Sequence, residues 1–492
     1  MEAYYQSTRQ NASPINAKQA VLQGISPDGG LFVWPELGQE QLDLDEICRS
    51  DYKGIARMVF SKLLSGYSEA ELDECIENAY GSSFENVQAD TITPLKSVGD
   101  VEVLELFRGP TSAFKDVALT ILPWFLSKAL ADTGQKALIL TATSGDTGKA
   151  AMSGFQDVDK TGIFVFYPHG KVSAVQYKQM ASQKGENVRV FAVEGNFDDA
   201  QSMVKKLFLD EELKKQLAQK GIVLSSANSI NIGRLIPQIV YYFDAYRQMA
   251  AKGRIQIGDK VSFSVPTGNF GDVLAGYYAS LLGLPVDTFY VASNANNVLT
   301  DFLNTGVYDR NRPFIQTISP SMDILISSNL ERLLYYASGR DTQKVAGWME
   351  DLARNGAYEL DKSTCQAIQS MFKGGYYDDE ALKQTIREVY EKTGYVLDPH
   401  TASAYALAGQ SKTPVVALAT ASPYKFTQDV LDSLGIVEED PFKAMEILST
   451  MNDDAIPAPL AALKEAGILH DKAIVPQQMK EETYSSAMEI FQ

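Results

Sequence analysis

"KVSFSVPTGNFGDVLAGYYASLLG", residues 260–283, is the stretch whose reading decides the fold. A β-rich apolar run ends at Pro266, Thr267 to Asp272 supply two glycines, an asparagine and an acid, and a helical pattern begins at Val273. Free backbone amides at a helix N-terminus, with glycines allowing close approach, cradle a phosphate. The same letters also make an ordinary glycine turn with Asp272 in the first helical turn. The run lacks the G-K-[ST] ending of a P-loop and the G-x-G-x-x-G spacing of a dinucleotide fingerprint.

Working outward, the strand–turn–helix pattern recurs. Residues 136–143, "KALILTAT", lead through "SGDTG" (144–148) into a helix from about Lys149. "GIFVFYP" (162–168), "NVRVFAVEG" (187–195) and "GIVLSSA" (221–227) alternate with helix-patterned segments, and in 232–250 the residues Ile236, Ile239, Val240 and Phe243 recur at helical spacing. Short apolar runs separated by helices are the mark of βαβ units, so the fold class is α/β with a mostly parallel sheet. The first hundred residues read instead as helical and acidic, with Ser68 capping one helix. Residues 374–409 read as two helices around "LDPHT", and the tail from about 436 is mixed and acidic.

The chain has 492 residues and a net charge of −18, from 44 Lys and Arg against 62 Asp and Glu. That balance argues against nucleic acid or an anionic membrane surface as main partner. Cys48, Cys75 and Cys365 are scattered, as are His169, His400 and His470, so neither a disulfide framework nor a metal centre is expected. No signal peptide or apolar run of about twenty residues is visible, and a reducing cytoplasm is the simple inference.

Two further turns bear on chemistry. "TATSGDTG" (141–148) is lined by hydroxyls at Thr143, Ser144 and Thr147, which suit a carboxylate or second anion, or simply a helix cap by Asp146 or Thr147. "ATASPYKF" (419–426) offers Thr420, Ser422 and Lys425 after a strand. In open α/β sheets, ligands bind beyond the carboxyl ends of strands. Lys115, in "LELFRGPTSAFKDVAL" (104–119), stands at the first turn of a helix, where the dipole disfavours a cation. An amine there loses its proton more easily, and a neutral amine is the nucleophile of imine chemistry. A phosphate cradle, such a lysine and a second anion site match pyridoxal 5′-phosphate with an amino-acid substrate.

"FRGPTSAFKD", "TATSGDTG", "PTGNFGD" and "ATASPYKF", in this order, together with "YYQSTR" and "SPDGGLFVWPE" near the start, resemble threonine synthase, a fold type II pyridoxal-phosphate family. The resemblance covers nearly the whole chain. It implies two open α/β lobes of the tryptophan synthase β kind, with the cofactor between them and a mainly helical N-terminal domain. The expected division is 1–98 for that domain, 99–134 and 222–492 for the large lobe, and 135–221 for the small one. It places the catalytic, Schiff-base lysine on Lys115, the phosphate cradle on Gly268, Asn269, Phe270, Gly271 and Asp272, and the partner of the pyridine nitrogen on Thr420. Substrate contacts fall on Thr111, Ser112, Ser144, Asp146 and Thr147, and also on Asn231, Arg234, His400 and Thr401. Arg234, Lys149 and Lys425 are candidates for the substrate's phosphate, since a dianion needs charge-assisted donors. The family pattern has histidine before Gly-Pro-Thr, whereas this chain has Arg108.

The implied reaction is O-phospho-L-homoserine plus water giving L-threonine and phosphate, the last step of threonine biosynthesis. The implied assembly is a monomer or homodimer, without nucleic acid or membrane. Competing readings are a pyridoxal-phosphate dehydratase or phospho-amine lyase, told apart by a second anion pocket, and a non-catalytic cofactor-binding relative, disfavoured by the intact Lys115. An NAD-type dehydrogenase fails for want of its glycine fingerprint.

Overall fold

A computed structural model describes residues 3–10, 13–84, 90–143, 145–195 and 197–492. Two sheets organise it. The larger runs Phe372–Tyr376, Val286–Ser293, Val261–Pro266, Val415–Ala419, Val101–Glu105 and Leu95–Val98, in that spatial order. Its first five strands are parallel, and Leu95–Val98 closes one edge antiparallel to Val101–Glu105. The strand latest in the chain, Val415–Ala419, is inserted between Val261–Pro266 and Val101–Glu105. The turns that leave these three strands are thereby side by side, at the carboxyl edge where α/β sheets hold ligands.

The smaller sheet is wholly parallel in the order Ala473–Ile474, Val188–Val193, Thr161–Pro168, Lys136–Ala142 and Ile222–Ser226. Two of its strands correct the expected boundaries. Ile222–Ser226, expected to open the large lobe, pairs with Lys136–Ala142, and the tail returns to pair Ala473 and Ile474 with Ala192 and Val193. Leu95–Val98, placed in the N-terminal domain by the sequence, is likewise a strand of the large sheet.

Helix Ile232–Ala251 is buried along almost its whole length despite Pro237. It shares one apolar core with the N-terminal helix Tyr52–Leu63 through residues such as Ile55, Val59, Ile236 and Val240. The N-terminal segment is therefore packed into the large lobe's core rather than around one of its own. Ser68 caps Glu69–Ala79 through a full capping box with Glu71, as the sequence indicates. The two helices around "LDPHT" are Asp379–Thr393 and Pro399–Ala408. The strand Phe372–Tyr376 just before them has no counterpart in the sequence reading, because Gly374 and Gly375 look like a turn. A Cβ on Gly374 would stand 2.9 Å from the Thr300 backbone and one on Gly375 2.5 Å from Leu407, so the glycines admit close packing on both faces. Among the described residues no helix is long and apolar enough to cross a membrane.

Candidate functional site

A cavity of about 1000 Å³ lies between the two sheets, walled by Lys115, Asp146, Thr147, Arg234, His400, Thr420 and the whole turn Gly268–Asp272. The first element to build is that turn. Phe270 takes a left-handed conformation, φ 61°, and lays its buried ring 5.9 Å from that of Phe372. Helix Gly271–Leu281 follows with no side-chain cap, so its first amides, which lack intrahelical partners, remain available to a ligand. Gly268 must be small: a Cβ there would meet the Ser321 carbonyl at 2.8 Å. The turn is held from outside by Ser327 Oγ donating to Gly268 O (2.7 Å) and by the Asn329 amide donating to Asn269 O (3.0 Å). Asp272 accepts from the hydroxyls of Tyr241 (2.6 Å) and Tyr242 (3.0 Å) at Oδ1, while Oδ2 is buried without a partner. Burial pushes its carboxyl up to about 6, more than the two tyrosines and the charge of Lys115 pull it down.

Lys115 opens the five-residue helix Lys115–Leu119. The preceding loop is fixed to the end of Val415–Ala419 by an Ala113–Ala421 bridge and by the Phe114 amide donating to Thr420 O (2.8 Å). This sets Lys115 and Thr420 beside each other although 305 positions separate them in the chain. The Lys115 ammonium lies 4.5 Å from the Phe114 ring and 3.5 Å from Asp146 Oδ2. Burial lowers its pKa; Asp146 opposes that shift, and Lys425 and Arg234 reinforce it.

Asp146 comes from the small lobe, at the first position of helix Asp146–Phe155. The helix starts three residues before the Lys149 expected from sequence, because Thr143 Oγ1 accepts from the amides of Gly145 and Gly148, both at 2.9 Å. The N-cap, Gly145, offers no side chain, so Thr143 rather than Asp146 or Thr147 supplies the acceptor for a first-turn amide, and Asp146 is left to meet the large lobe. Its Oδ1 binds Lys425 Nζ at 2.7 Å and Gln176 Nε2 at 3.0 Å. Burial alone would raise its pKa; Lys425 and Lys115 reverse this and hold it far below the ordinary carboxylate range.

The other expected residues divide. Arg234 is on the cavity wall and donates to Ala227 O at 2.6 Å through Nη1, while its Nε is buried and, among the described residues, without a hydrogen-bond partner. Burial lowers its pKa, yet a guanidinium stays charged at neutral pH. His400 binds Asp398 through Nδ1 (2.6 Å) and accepts the Ser321 amide at Nε2 (3.1 Å), which fixes its tautomer. Thr111, Ser112, Asn231, Thr401 and Lys425 are not on the cavity wall. Thr111 pairs with Asp116 through its amide and hydroxyl. Ser112 carries the left-handed turn, φ 59°. Asn231 caps its own helix and donates to Val21 O and Ser226 O, and Thr401 is held by Asp398. Lys149 turns to Gln183, away from the cavity, and burial lowers its pKa to about 8. Ser144 lies outside the described residues. Ser229 and Ser321, both on the wall, went unnoticed in the sequence because they belong to loops without a periodic pattern.

These residues fit pyridoxal 5′-phosphate. An uncapped helix N-terminus behind two small glycines suits its phosphate, a hydroxyl at Thr420 suits its ring nitrogen, and a buried amine suits its aldehyde. Two open parallel lobes around such a group define a fold type II pyridoxal-phosphate enzyme, and this chain is one. A model of the threonine synthase N-terminus matches residues 4–80. Threonine synthase from Pseudomonas aeruginosa is 40% identical over 435 residues, 87% of this chain and 89% of that protein. Human threonine synthase-like 1 is 36% identical over 91% of this chain, which spans only 62% of that longer protein. The crystal structure of pyridoxal-phosphate-bound threonine synthase from Brucella melitensis superimposes with a TM-score of 0.86 at 37% identity, covering 99% of both chains, and the yeast enzyme does so with 0.86 at 32%. The chain belongs to the threonine synthase family.

Proposed function

We propose that this protein converts O-phospho-L-homoserine and water to L-threonine and phosphate, in the cytoplasm and as the last step of threonine biosynthesis. The observation that carries this reading is the Lys115 amine facing a glycine turn across a cavity whose wall also includes a second anion partner, the Arg234 guanidinium. A serine or threonine dehydratase has no substrate phosphate for that second partner to bind; a phospho-amine lyase has one, and is told apart by whether threonine is released.

Gly268 to Gly271 would hold the cofactor's phosphate, Thr420 its ring nitrogen and Lys115 its aldehyde carbon. When bound, the cofactor supplies an electrophilic carbon for amines and a conjugated ring that takes up negative charge from the substrate's carbons. Lys115 would carry protons between Cα and Cβ of the bound substrate. Desolvation lowers its pKa below that of an ordinary lysine, which favours the free amine. Arg234, on the cavity wall and charged at neutral pH, binds the substrate's phosphate. Asp146 and Thr147 orient the substrate from the small-lobe side, and His400, locked by Asp398, supports the loop of Ser321. Partial desolvation of the cavity keeps water from competing until it adds at Cβ.

The test is joint release of phosphate and threonine from O-phospho-L-homoserine by cofactor-loaded protein, beside Lys115→Ala. Equal amounts of both, absent in the variant, are expected. Phosphate or a keto acid without threonine would replace this reading with a lyase.

A further inference from the structure

Lys425 stands close to the reacting region without touching the cavity. Its side chain is wholly buried, and its ammonium is spent on two acceptors, Asp146 Oδ1 at 2.7 Å and Thr111 O at 3.0 Å. A substrate phosphate in the cavity would have to displace both, so Lys425 is not placed to bind it. The same contacts give it another part to play.

Asp146 has two oxygens in unequal surroundings. Oδ1 is tightly satisfied by Lys425 and Gln176, whereas among the described residues Oδ2 has long contacts, Lys115 Nζ at 3.5 Å and Ser321 Oγ at 3.4 Å. Two lysines, Lys115 and Lys425, thus converge on one buried carboxylate, and Arg234 adds its positive charge near Lys115. A single buried anion supports one neighbouring cation well, and a second cation nearby raises the cost of keeping both charged. Distance sets the order of support: Lys425 holds Asp146 at 2.7 Å, whereas Lys115 stands 3.5 Å away and is the less well compensated of the two.

We propose that Lys425 is a positioning residue for the reaction, which by occupying Asp146 leaves the Lys115 amine free to lose its proton. The inference rests on Lys115 being the reactive amine. The charged groups facing Lys115 are Asp146 on the small-lobe helix, Lys425 after Val415–Ala419, Arg234 on Ile232–Ala251 and Asp272 on Gly271–Leu281. Asp116, next in its own helix, is turned back onto Thr111, and Lys149 lies behind, toward Lys425. Of these, only Lys425 competes with Lys115 for a carboxylate at hydrogen-bonding distance.

The experiment reads Lys115 directly. In the full-length chain without cofactor, acetic anhydride labelling of Lys115 is followed against pH by mass spectrometry of its peptide, next to the pH profile of threonine release by loaded enzyme. In Lys425→Met the whole of Asp146 falls to Lys115. Its labelling midpoint should rise by about one to three pH units, the range for an opposite charge within a few ångström, and the acid limb of the activity profile should move with it. Lys425→Arg, which keeps the charge, should restore the midpoint to within half a unit or so of the native value. Should Lys425→Met not fold, Lys425→Gln, which keeps a donor and drops the charge, replaces it with the same expected rise. A midpoint unchanged in a folded neutral variant overturns the proposal, as does Lys425→Arg behaving like Lys425→Met. Failure of the reaction scheme itself looks different: native Lys115 would then label like a surface lysine and Lys115→Ala would still make threonine.

Discussion

Gly268→Ala is the sharpest perturbation the cradle allows. The φ of Gly268 lies outside the left-handed region, so alanine meets no backbone penalty and the whole effect is spatial. Its new Cβ would sit 2.8 Å from Ser321 O and 3.4 Å from Met322 Cα, where ordinary contact begins at 3.4 Å, so the two backbones must part by about 0.6 Å. Ser321 cannot move alone, because its amide is bonded to His400 and its hydroxyl to Asp146. A misplacement near 1 Å costs about 10²-fold in rate. We therefore expect kcat/KM for O-phospho-L-homoserine to fall by roughly 10- to 100-fold, about 1.4 to 2.7 kcal/mol of transition-state stabilisation, with weaker cofactor binding in an absorbance titration. Gly271→Ala is the control. Its Cβ would approach only the side chains of Ser229 (3.3 Å) and Asn329 (3.4 Å), which can yield, so it should stay within about threefold of the native enzyme, well short of one decade in rate. Equal losses in the two variants, or none in Gly268→Ala, would refute the claim that backbone approach at Gly268 sets the cradle.

Three other outcomes follow from the same geometry. Thr143→Val strips the amides of Gly145 and Gly148 of their acceptor and should cost roughly 1–2 kcal/mol in denaturant unfolding, with Asp146 displaced and activity reduced. Asp272, whose folded pKa is raised to about 6, binds more protons folded than unfolded between about pH 4 and 6. Its contribution is full below the unfolded value and lost as pH rises through 6, about 3 kcal/mol in all. Asp272→Asn in cofactor-free protein should flatten that fall, and an unchanged slope of unfolding free energy against pH would count against it. Arg108→Met leaves the buried Glu105 with only the Tyr395 hydroxyl and should cost roughly 3–5 kcal/mol, part of it recovered by adding Glu105→Gln.

The parts of the site that could be read from sequence are those where local chemistry and fold agree. Glycines and hydroxyls between an apolar run and a helical period mark a strand-end turn, and the turns at 143–148, 267–272 and 420–425 all fall there. Reading failed where a residue type serves two ends. Asn231 and Thr401 carry groups suited to a substrate, but each lies at a helix start, and satisfying orphan amides and carboxylates there took precedence. Sheet membership was invisible for a different reason. Ile222–Ser226 is an apolar run like its neighbours, and only its non-local pairing with Lys136–Ala142 assigns it to the small lobe.

Arg108 brings the tail into the same account. In place of the family's histidine it might have added a permanent charge to the cavity, yet its guanidinium points the other way. Nε and Nη2 take Glu105 Oε2 at 3.0 and 2.6 Å, and Nη2 takes Asp454 Oδ2 at 2.7 Å. The charge is consumed by two carboxylates, so the electrostatics around Lys115 are left to Asp146, Lys425 and Arg234. What Arg108 gains is a grip on the tail, strengthened by the Tyr424 hydroxyl donating to Asp454 O at 2.6 Å. From there the tail crosses to the small lobe, where the amides of Leu469 and His470 donate to Ala181 O and Ala473–Ile474 adds the edge strand. One end of this strap is tied seven residues before Lys115 and the other to the sheet that carries Asp146. The two lobes that share the Lys115–Asp146 contact are thus joined a third time by covalent chain, which limits how far they can separate and keeps that 3.5 Å contact within reach of re-forming.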